Sequence, residues 1–359
     1  MQKNVKLKLK MKIVKKKEDE DLFIKSWLDY QNKNIVGIGH SLDIIEYYLI
    51  TNRKNIVSDE SFVILGEAND KICLAICFLP IYTDNIINYC NAIAPIANKE
   101  KYLKICFEYI DKVSKEFNLD KIEFSIDVSY SQHGQWKYNY LRDYGYIDCT
   151  VNNYIFNLSE KAEFLFQKFN TSSRNIVRKA MKEGNCEVIV YDENNITNKI
   201  FDNYKSYHRI CAGKQTRNNE SFDYMLSLIR NKRSILLELN YEKQPIGYLI
   251  VFLFFPYASL SSIANLPEYE REVPIYRLLY WKAIEYCENY KLMIYGYPAG
   301  SSLIDGFNSY MDKKQLNIAK YKRYMGGIMV PHFKGIKYFN KNLAKKEVQY
   351  FFEKIKNGL

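Results

Sequence analysis

Apolar and polar positions along this chain trace one succession of elements twice. In the first half, Phe62 to Glu67 is a short apolar run, Asn69-Asp70 a turn signal, and Ile72 to Leu79 and Ile87 to Ile93 are further runs. Short runs rich in Ile, Val, Leu and Phe, closed by Asn, Asp or Gly, predict strands. Apolar spacing from Lys99 to Phe117 predicts a helix, and Lys121 to Asp127 a returning strand. In the second half the strands fall at Ile235 to Leu239, Ile246 to Phe255 and Tyr257 to Ala264, the helix at Val273 to Tyr290 and the last strand at Leu292 to Tyr297. Ile275, Leu278, Leu279 and Ile284 give that helix one apolar face. Corresponding elements lie roughly 170 positions apart, which points to a duplicated unit.

Three meandering strands, a crossover helix and a return strand make a mixed sheet covered by the helix. That order matches the core of the GNAT (acyl-CoA N-acyltransferase-like) fold, so the expected class is α/β with two tandem GNAT-like domains. The expected boundaries are 1–158 and 159–335, followed by a basic C-terminal helix over 336–359; a chain of 359 residues suits two cores. The second unit opens on TSSRNIVRKAMKEGNCEV, where Thr171 or Ser172 is expected to cap a helix that Gly184 ends. Arg174, Arg178 and Lys179 crowd its start, where the macrodipole opposes cations and an anion would help them.

Composition sharpens this picture at a few points. With 47% hydrophobic and 15% aromatic residues the chain can bury a substantial core, which excludes intrinsic disorder. The net charge of +11 is concentrated at the ends: residues 1–17 hold eight Lys and no acid, residues 311–359 carry a surplus of nine, and the middle is about minus six. Basic ends suit a phosphate-bearing partner or an anionic lipid surface. In VKLKLKMKI, however, Val5, Leu7, Leu9, Met11 and Ile13 alternate with Lys, which predicts a lysine-protected edge strand with the apolar set inward. The alternation has no continuous apolar core of the signal-peptide kind, and eight cysteines without a CxxC pair read as reduced thiols. The expectation is a cytoplasmic protein. Gln244 to Pro267 carries no charge, but Pro256-Tyr257 divides it and Tyr, Val, Ile and Phe favour strands, so a buried hairpin is expected there, not a membrane span.

Four segments together resemble the FemAB/FemX group of acyltransferases. SRNIVRKAMKEG resembles the helix that opens that group's second domain, VPIYRLLYWKAIEYC its crossover helix, IAKYKRYMGG its aromatic-Lys strand ending in glycines, and LRDYGYIDCTVNNYIFNLS its inter-domain junction. The resemblance implies aminolysis: an amine attacks an activated acyl carbonyl, commonly an aminoacyl-tRNA ester, and forms an amide on a cell-wall or surface-glycan precursor. Such chemistry needs attack geometry, a donor for the oxyanion and an exit for the amine proton. It needs no covalent nucleophile, in keeping with a sequence without a recognisable Ser/His/Asp or Cys/His arrangement.

By the same resemblance Lys322 is the first candidate for the oxyanion or a terminal phosphate, with Tyr321 as a stacking surface. Read as a strand, this segment would point Lys322 and Arg323 to opposite faces, leaving open which of them meets the site. Arg174, Arg178 and Arg217 are candidates for acceptor phosphates, Asp305 for the proton, and Tyr276 for the reacting centre. A Gly-rich pyrophosphate turn of the CoA type is missing before the crossover helix, where LPEYEREVPIY carries three glutamates. Asn194 to Asn231 is too short for the paired-helix arm of some relatives. The expected donor is therefore aminoacyl-tRNA, with no bound cofactor; acyl-CoA or acyl-carrier protein acting on an amino sugar is the alternative, and a non-catalytic RNA- or membrane-surface-binding protein using Lys337, Lys341, Lys345 and Lys346 is the third reading. The expected acceptor is a lipid- or nucleotide-linked glycan or peptide precursor, met at the inner face of the membrane. His208 and Cys211 have metal-like spacing without a second pair, so no metal site is expected and His208 reads as a satisfied, half-buried residue.

Overall fold

The computed structural model describes residues 11–68, 70–134, 136–296 and 313–358. Their contacts divide into two compact units that are interleaved in sequence: unit 1 draws on Met1–His40, Asn52–Thr150 and Phe333–Leu359, unit 2 on Ser41–Thr51 and Val151–His332. Elements are numbered in chain order through both.

Unit 1 contains β1 (Met11–Lys15), α1 (Glu20–Lys33), β2 (Ile56–Asp59), β3 (Phe62–Ala68), β4 (Asp70–Cys77), β5 (Pro80–Thr83), β6 (Asn88–Ile93), β7 (Ile96–Ala97), α3 (Glu100–Glu116), β8 (Lys121–Ser125), α4 (Val128–His133), β9 (Ile147–Asp148), β17 (Lys334–Tyr338) and α11 (Lys341–Gly358). Its sheets run β1-β3-β4-β7 and β2-β5-β6-β8-β17-β9. The crossover helix α3 joins β6 to β8, which pair in parallel, and buries Leu103, Cys106, Phe107, Ile110 and Val113. β1 is an edge strand as expected, but Met11 is exposed and Val14 buried, so the inward set is not the alternating one read from the sequence. Lys6, Lys8 and Lys10 lie outside the described residues, as does Asn69 of the expected turn. Lys337 belongs to β17 and not to the C-terminal helix; its ammonium pairs with Asp111 at 2.7 Å.

Unit 2 contains α2 (Leu42–Thr51), β10 (Val151–Asn157), α5 (Ala162–Lys168), α6 (Thr171–Glu183), β11 (Cys186–Tyr191), α7 (Asn198–Ala212), α8 (Asn219–Arg230), β12 (Ser234–Tyr241), β13 (Gln244–Phe254), β14 (Tyr257–Asn265), α9 (Ile275–Tyr286), β15 (Leu292–Gly296), α10 (Lys313–Tyr324) and β16 (Ile328–His332). One seven-stranded sheet runs β11-β12-β13-β14-β15-β10-β16. Alternation along β13 assigns its faces: Leu249 and Val251 join a buried cluster with Leu278, Leu279 and Trp281 of α9, while the Tyr248 ring meets Tyr204 and Tyr207 of α7. The uncharged Gln244–Pro267 segment is the β13–β14 hairpin, paired from Gly247↔Asn265 to Phe254↔Tyr257. Among the described residues no helix is long and apolar enough to cross a membrane.

Two local expectations are corrected. The cap of α6 is Asn170, whose side chain accepts from Ser173 N at 2.8 Å, not Thr171 or Ser172; Gly184 does close the helix at φ +73. The segment Tyr321–Tyr324 ends helix α10 and is not a strand; the strand begins at Ile328 after Gly326 at φ +77.

Candidate active site

The parallel seam between β14 and β15 opens part-way along. Pairing holds at Tyr257↔Leu292, Ala258↔Met293 and Ser259↔Ile294 and stops there, although β14 runs on to Asn265 and β15 to Gly296. Each strand is bulged just past the last pair. The β13–β14 register shifts opposite Ser261, and the β10–β15 register shifts at Tyr295, which falls between the partners Gly296 and Ile294. A bulge raises the local twist and re-aims side chains, so the two together turn the strands apart. In unit 1 the corresponding seam stays zipped: β6 and β8 pair from Tyr89↔Lys121 to Ile93↔Ser125, and Ala94 N donates to Ser125 O at 2.8 Å.

α10 places a lysine beside the opening. Ala319 and Lys322 of α10 and Met325 just past its end are buried; Lys322 is only 6% exposed, whereas Arg323 is exposed. The Lys322 ammonium donates to Gly296 O at 2.6 Å and lies 5.2 Å from the Tyr295 ring centre. Gly296 holds φ +84, a left-handed conformation that suits glycine. Burial pulls the Lys322 pKa down to about 7, because no carboxylate among the described residues is within ion-pair distance. Next to it, the Arg277 guanidinium of α9 stacks 5.0 Å from the Tyr321 ring centre and donates through Nε to Ser173 Oγ at 3.3 Å. It too has no carboxylate partner among the described residues. The buried hydroxyls of Tyr295 and Tyr321 have no hydrogen-bond partner among the described residues, and burial raises both pKa values well above the ordinary one.

Tyr276 precedes Arg277 in the first turn of α9. Its ring is 6.3 Å from that of Tyr321, and its hydroxyl lies 3.0 Å from Asn265 Oδ1 and 3.2 Å from Glu270 Oε1.

Comparison with known proteins places this architecture. No protein-family model and no curated protein matches the sequence. Among solved structures, FemX superposes with a TM-score of 0.66 at 10% identity over 94% of this chain and 99% of its own. L-PGS from Bacillus licheniformis gives 0.53 at 12% over 88% and 98%, and a tandem GNAT protein from the clavulanic acid biosynthesis pathway 0.52 at 7% over 92% and 98%. The chain has the FemX-like tandem GNAT fold. The opened seam therefore belongs to the second GNAT unit, and Lys322, Tyr321 and Tyr276 all stand at it.

The other candidates do not converge there. Arg174 turns back on its own helix start, donating to the carbonyls of Gln167 and Phe169 and to Thr171 Oγ. Arg178 lies on an exposed face with its guanidinium 5.3 Å from the Phe166 ring centre. Arg217 stands ahead of α8, donating to Tyr204 Oη at 3.4 Å, and Tyr204 donates to Ser262 Oγ of β14 at 2.8 Å. His208 is buried rather than half-buried, its Nδ1 has no partner among the described residues, and burial together with Arg217 lowers its pKa to about 4. Asp305 lies outside the described residues. The described residues include no His, Cys, Asp or Glu group arranged for a metal.

In the first GNAT unit a plug covers the end of the seam. His40 Nε2 lies 3.0 Å from Ala94 O, Gly39 N donates to Asp127 Oδ2 at 2.7 Å, and Ile38 N donates to Ser129 Oγ at 3.2 Å. A Cβ on Gly37 would stand 2.2 Å from Asp127 Cγ, so only glycine allows this approach.

Sequence reasoning missed Arg277, Tyr295, Asn265 and Glu270. Arg277 had a signal: it is a cation one residue from Tyr276, in the first turn of a helix whose other residues were read as core. The remaining three depend on where the strands part, which no local pattern marks.

Proposed function

We propose that the chain is an acyltransferase that forms an amide, transferring an aminoacyl group to an amine of a cell-wall or surface-glycan precursor, with aminoacyl-tRNA as donor. The observation that carries this reading is the opened β14–β15 seam with the Lys322 ammonium held at it by Gly296 O. The amine nitrogen attacks the ester carbonyl, a C–N bond forms and the C–O bond to the ribose breaks. The proton lost by the amine ends on the departing ribose oxygen, so no redox partner or covalent enzyme intermediate enters. Lys322 in its protonated form donates to the oxyanion, where a preorganised donor in a dry site supplies a large part of the rate. Arg277, permanently charged, holds a neighbouring phosphate, and Tyr321 and Tyr276 wall the site. Arg217, half-buried and without a carboxylate partner among the described residues, fits a phosphate of the acceptor.

A neighbour described as the C-terminal domain of a putative lysylphosphatidylglycerol synthetase from Agrobacterium fabrum (TM-score 0.53 at 9% identity, over 87% of this chain and 92% of its own) supports an aminoacyl donor and a lipid-linked acceptor. Glu268, Glu270 and Glu272 before α9 oppose a CoA pyrophosphate. The test is amide formation from charged tRNA and, separately, from labelled acyl-CoA across a panel of amine acceptors. Product from charged tRNA is expected; product from acyl-CoA alone would replace the donor, and product from neither would overturn the enzyme reading.

A further inference from the structure

Hydrogen-bonding capacity at the opening is split between two poles. Lys322, Arg277 and the hydroxyls of Tyr295 and Tyr321 form a pole rich in donors. At the end of β14 the balance is reversed. Asn265, wholly buried, donates Nδ2 to Glu270 Oε1 at 2.8 Å. Tyr276 Oη lies within bonding distance of both Asn265 Oδ1 and Glu270 Oε1 but has one proton for the two. Cys211 adds a weak thiol donor 3.6 Å from Asn265 Oδ1. Glu270 Oε2 accepts nothing from the described residues, and no Lys or Arg among them pairs with this carboxylate. The poles are neighbours: Tyr276 and Arg277 are successive residues, and both rest on the Tyr321 ring.

A group short of donors and carrying a net negative charge recognises an ammonium, which brings three N–H donors and the opposite charge. We propose that Glu270, oriented by Asn265 and Tyr276, binds the free α-ammonium of the transferred group, so that this site selects aminoacyl donors over acyl donors lacking an amine. The inference rests on the reading of the seam as an acyl-transfer site and adds what the acyl group must carry. Acetyl or fatty acyl groups offer nothing to this pole.

The probes are the stable amide L-alanylamido-adenosine and its counterpart without the amine, propionamido-adenosine, with binding to the full chain measured by calorimetry. Wild type is expected to bind the amine-bearing probe about tenfold more tightly, as for a charge-assisted contact at a partly exposed site. Glu270→Gln should bring the two probes to within about twofold while leaving propionamido-adenosine binding unchanged. Because Glu270 is exposed, the variant keeps its fold, which its melting temperature verifies. Equal binding of the two probes by wild type, binding of neither, or discrimination that survives in Glu270→Gln overturns the inference. Amide formation that ignores the α-amine sinks the ammonium site and leaves acyl transfer standing. If no donor yields amide, the acyl-transfer reading fails, and the probes still judge the ammonium site by themselves.

Discussion

Replacing Lys322 by Met tests the central assignment through stability as well as rate. Burial lowers its pKa from the ordinary 10.5 to about 7. At ~1.4 kcal/mol per tenfold change in proton affinity, this difference corresponds to ~5 kcal/mol between folded and unfolded chains once the lysine is protonated in both. The folded value is depressed, so the unfolded chain binds more protons between about pH 7 and 10.5, and wild-type stability rises with pH across that window. Below it the folded protein carries the full penalty of a buried ammonium, softened by the 2.6 Å bond to Gly296 O. Above it the penalty is gone. Lys322→Met keeps an unbranched side chain of similar length without the charge. It should therefore be more stable than wild type by a few kcal/mol near about pH 6, with the gap closing towards about pH 10. Urea unfolding of both proteins at several pH values measures the difference directly, and groups common to both cancel. Turnover of the Met variant should be lost at every pH. A Met variant that is less stable than wild type near pH 6, or a gap that does not change with pH, would refute the account of Lys322 as a desolvated ammonium without a carboxylate among the described residues.

Further outcomes follow from the same geometry. If protonated Lys322 is the oxyanion donor, kcat/KM should fall above about pH 7, and Lys322→Arg, slower but always charged, should lose that limb; a pH-rate profile decides. Arg277→Ala should raise KM for a phosphate-bearing donor and flatten its salt dependence, read from initial rates at several ionic strengths. Gly296→Ala, at φ +84, should lower stability by ~1 kcal/mol and impair turnover through the Lys322 anchor, seen by thermal melting beside the acyl-transfer assay. Gly37→Ala should cost ~2 kcal/mol or more, because its Cβ would stand 2.2 Å from Asp127 Cγ, with the loss visible in urea unfolding.

Much of the architecture was legible because strands and crossover helices write their periodicity locally. Ile275, Leu278, Leu279 and Ile284 all turn inward on α9, and the uncharged stretch from Gln244 is a buried hairpin. The segment around Lys322 was misread for a physical reason. Tyr321 to Met325 mixes aromatic, basic and apolar residues with no clean period, and the buried set of Ala319, Lys322 and Met325 puts a charge at the position where burial calls for an apolar side chain. A helix with lysine on its buried face defeats pattern reading, because periodicity assigns a charge to the solvent side. The interleaving was equally hidden. β10 pairs with β15 and β16 in unit 2, and β17 with β8 and β9 in unit 1, and no signal within β10 or β17 names those partners.

The two tandem units differ at this seam. Both units place a parallel pair beside a crossover helix, so both begin with a point where a bulge could part the strands. In unit 1 the bulges lie elsewhere, at Leu74 between β3 and β4 and at Val57 between β2 and β5, and the β6–β8 ladder runs its full length. The Gly37–His40 segment then lies over its end, using the Asp127 carboxylate and the Ala94 carbonyl as hydrogen-bond partners. In unit 2 the bulges at Ser261 and Tyr295 sit at the seam itself, and what gathers there is a buried ammonium, a guanidinium and two tyrosine hydroxyls, the guanidinium without a carboxylate and the hydroxyls without a partner among the described residues. Unsatisfied polar groups are costly wherever they serve only packing. We place the proposed chemistry at the open seam of unit 2 because a buried lysine and an arginine meet there; at the closed end in unit 1 the Ile38 and Gly39 amides and the Asp127 carboxylate are paired, and His40 Nδ1 has no partner among the described residues.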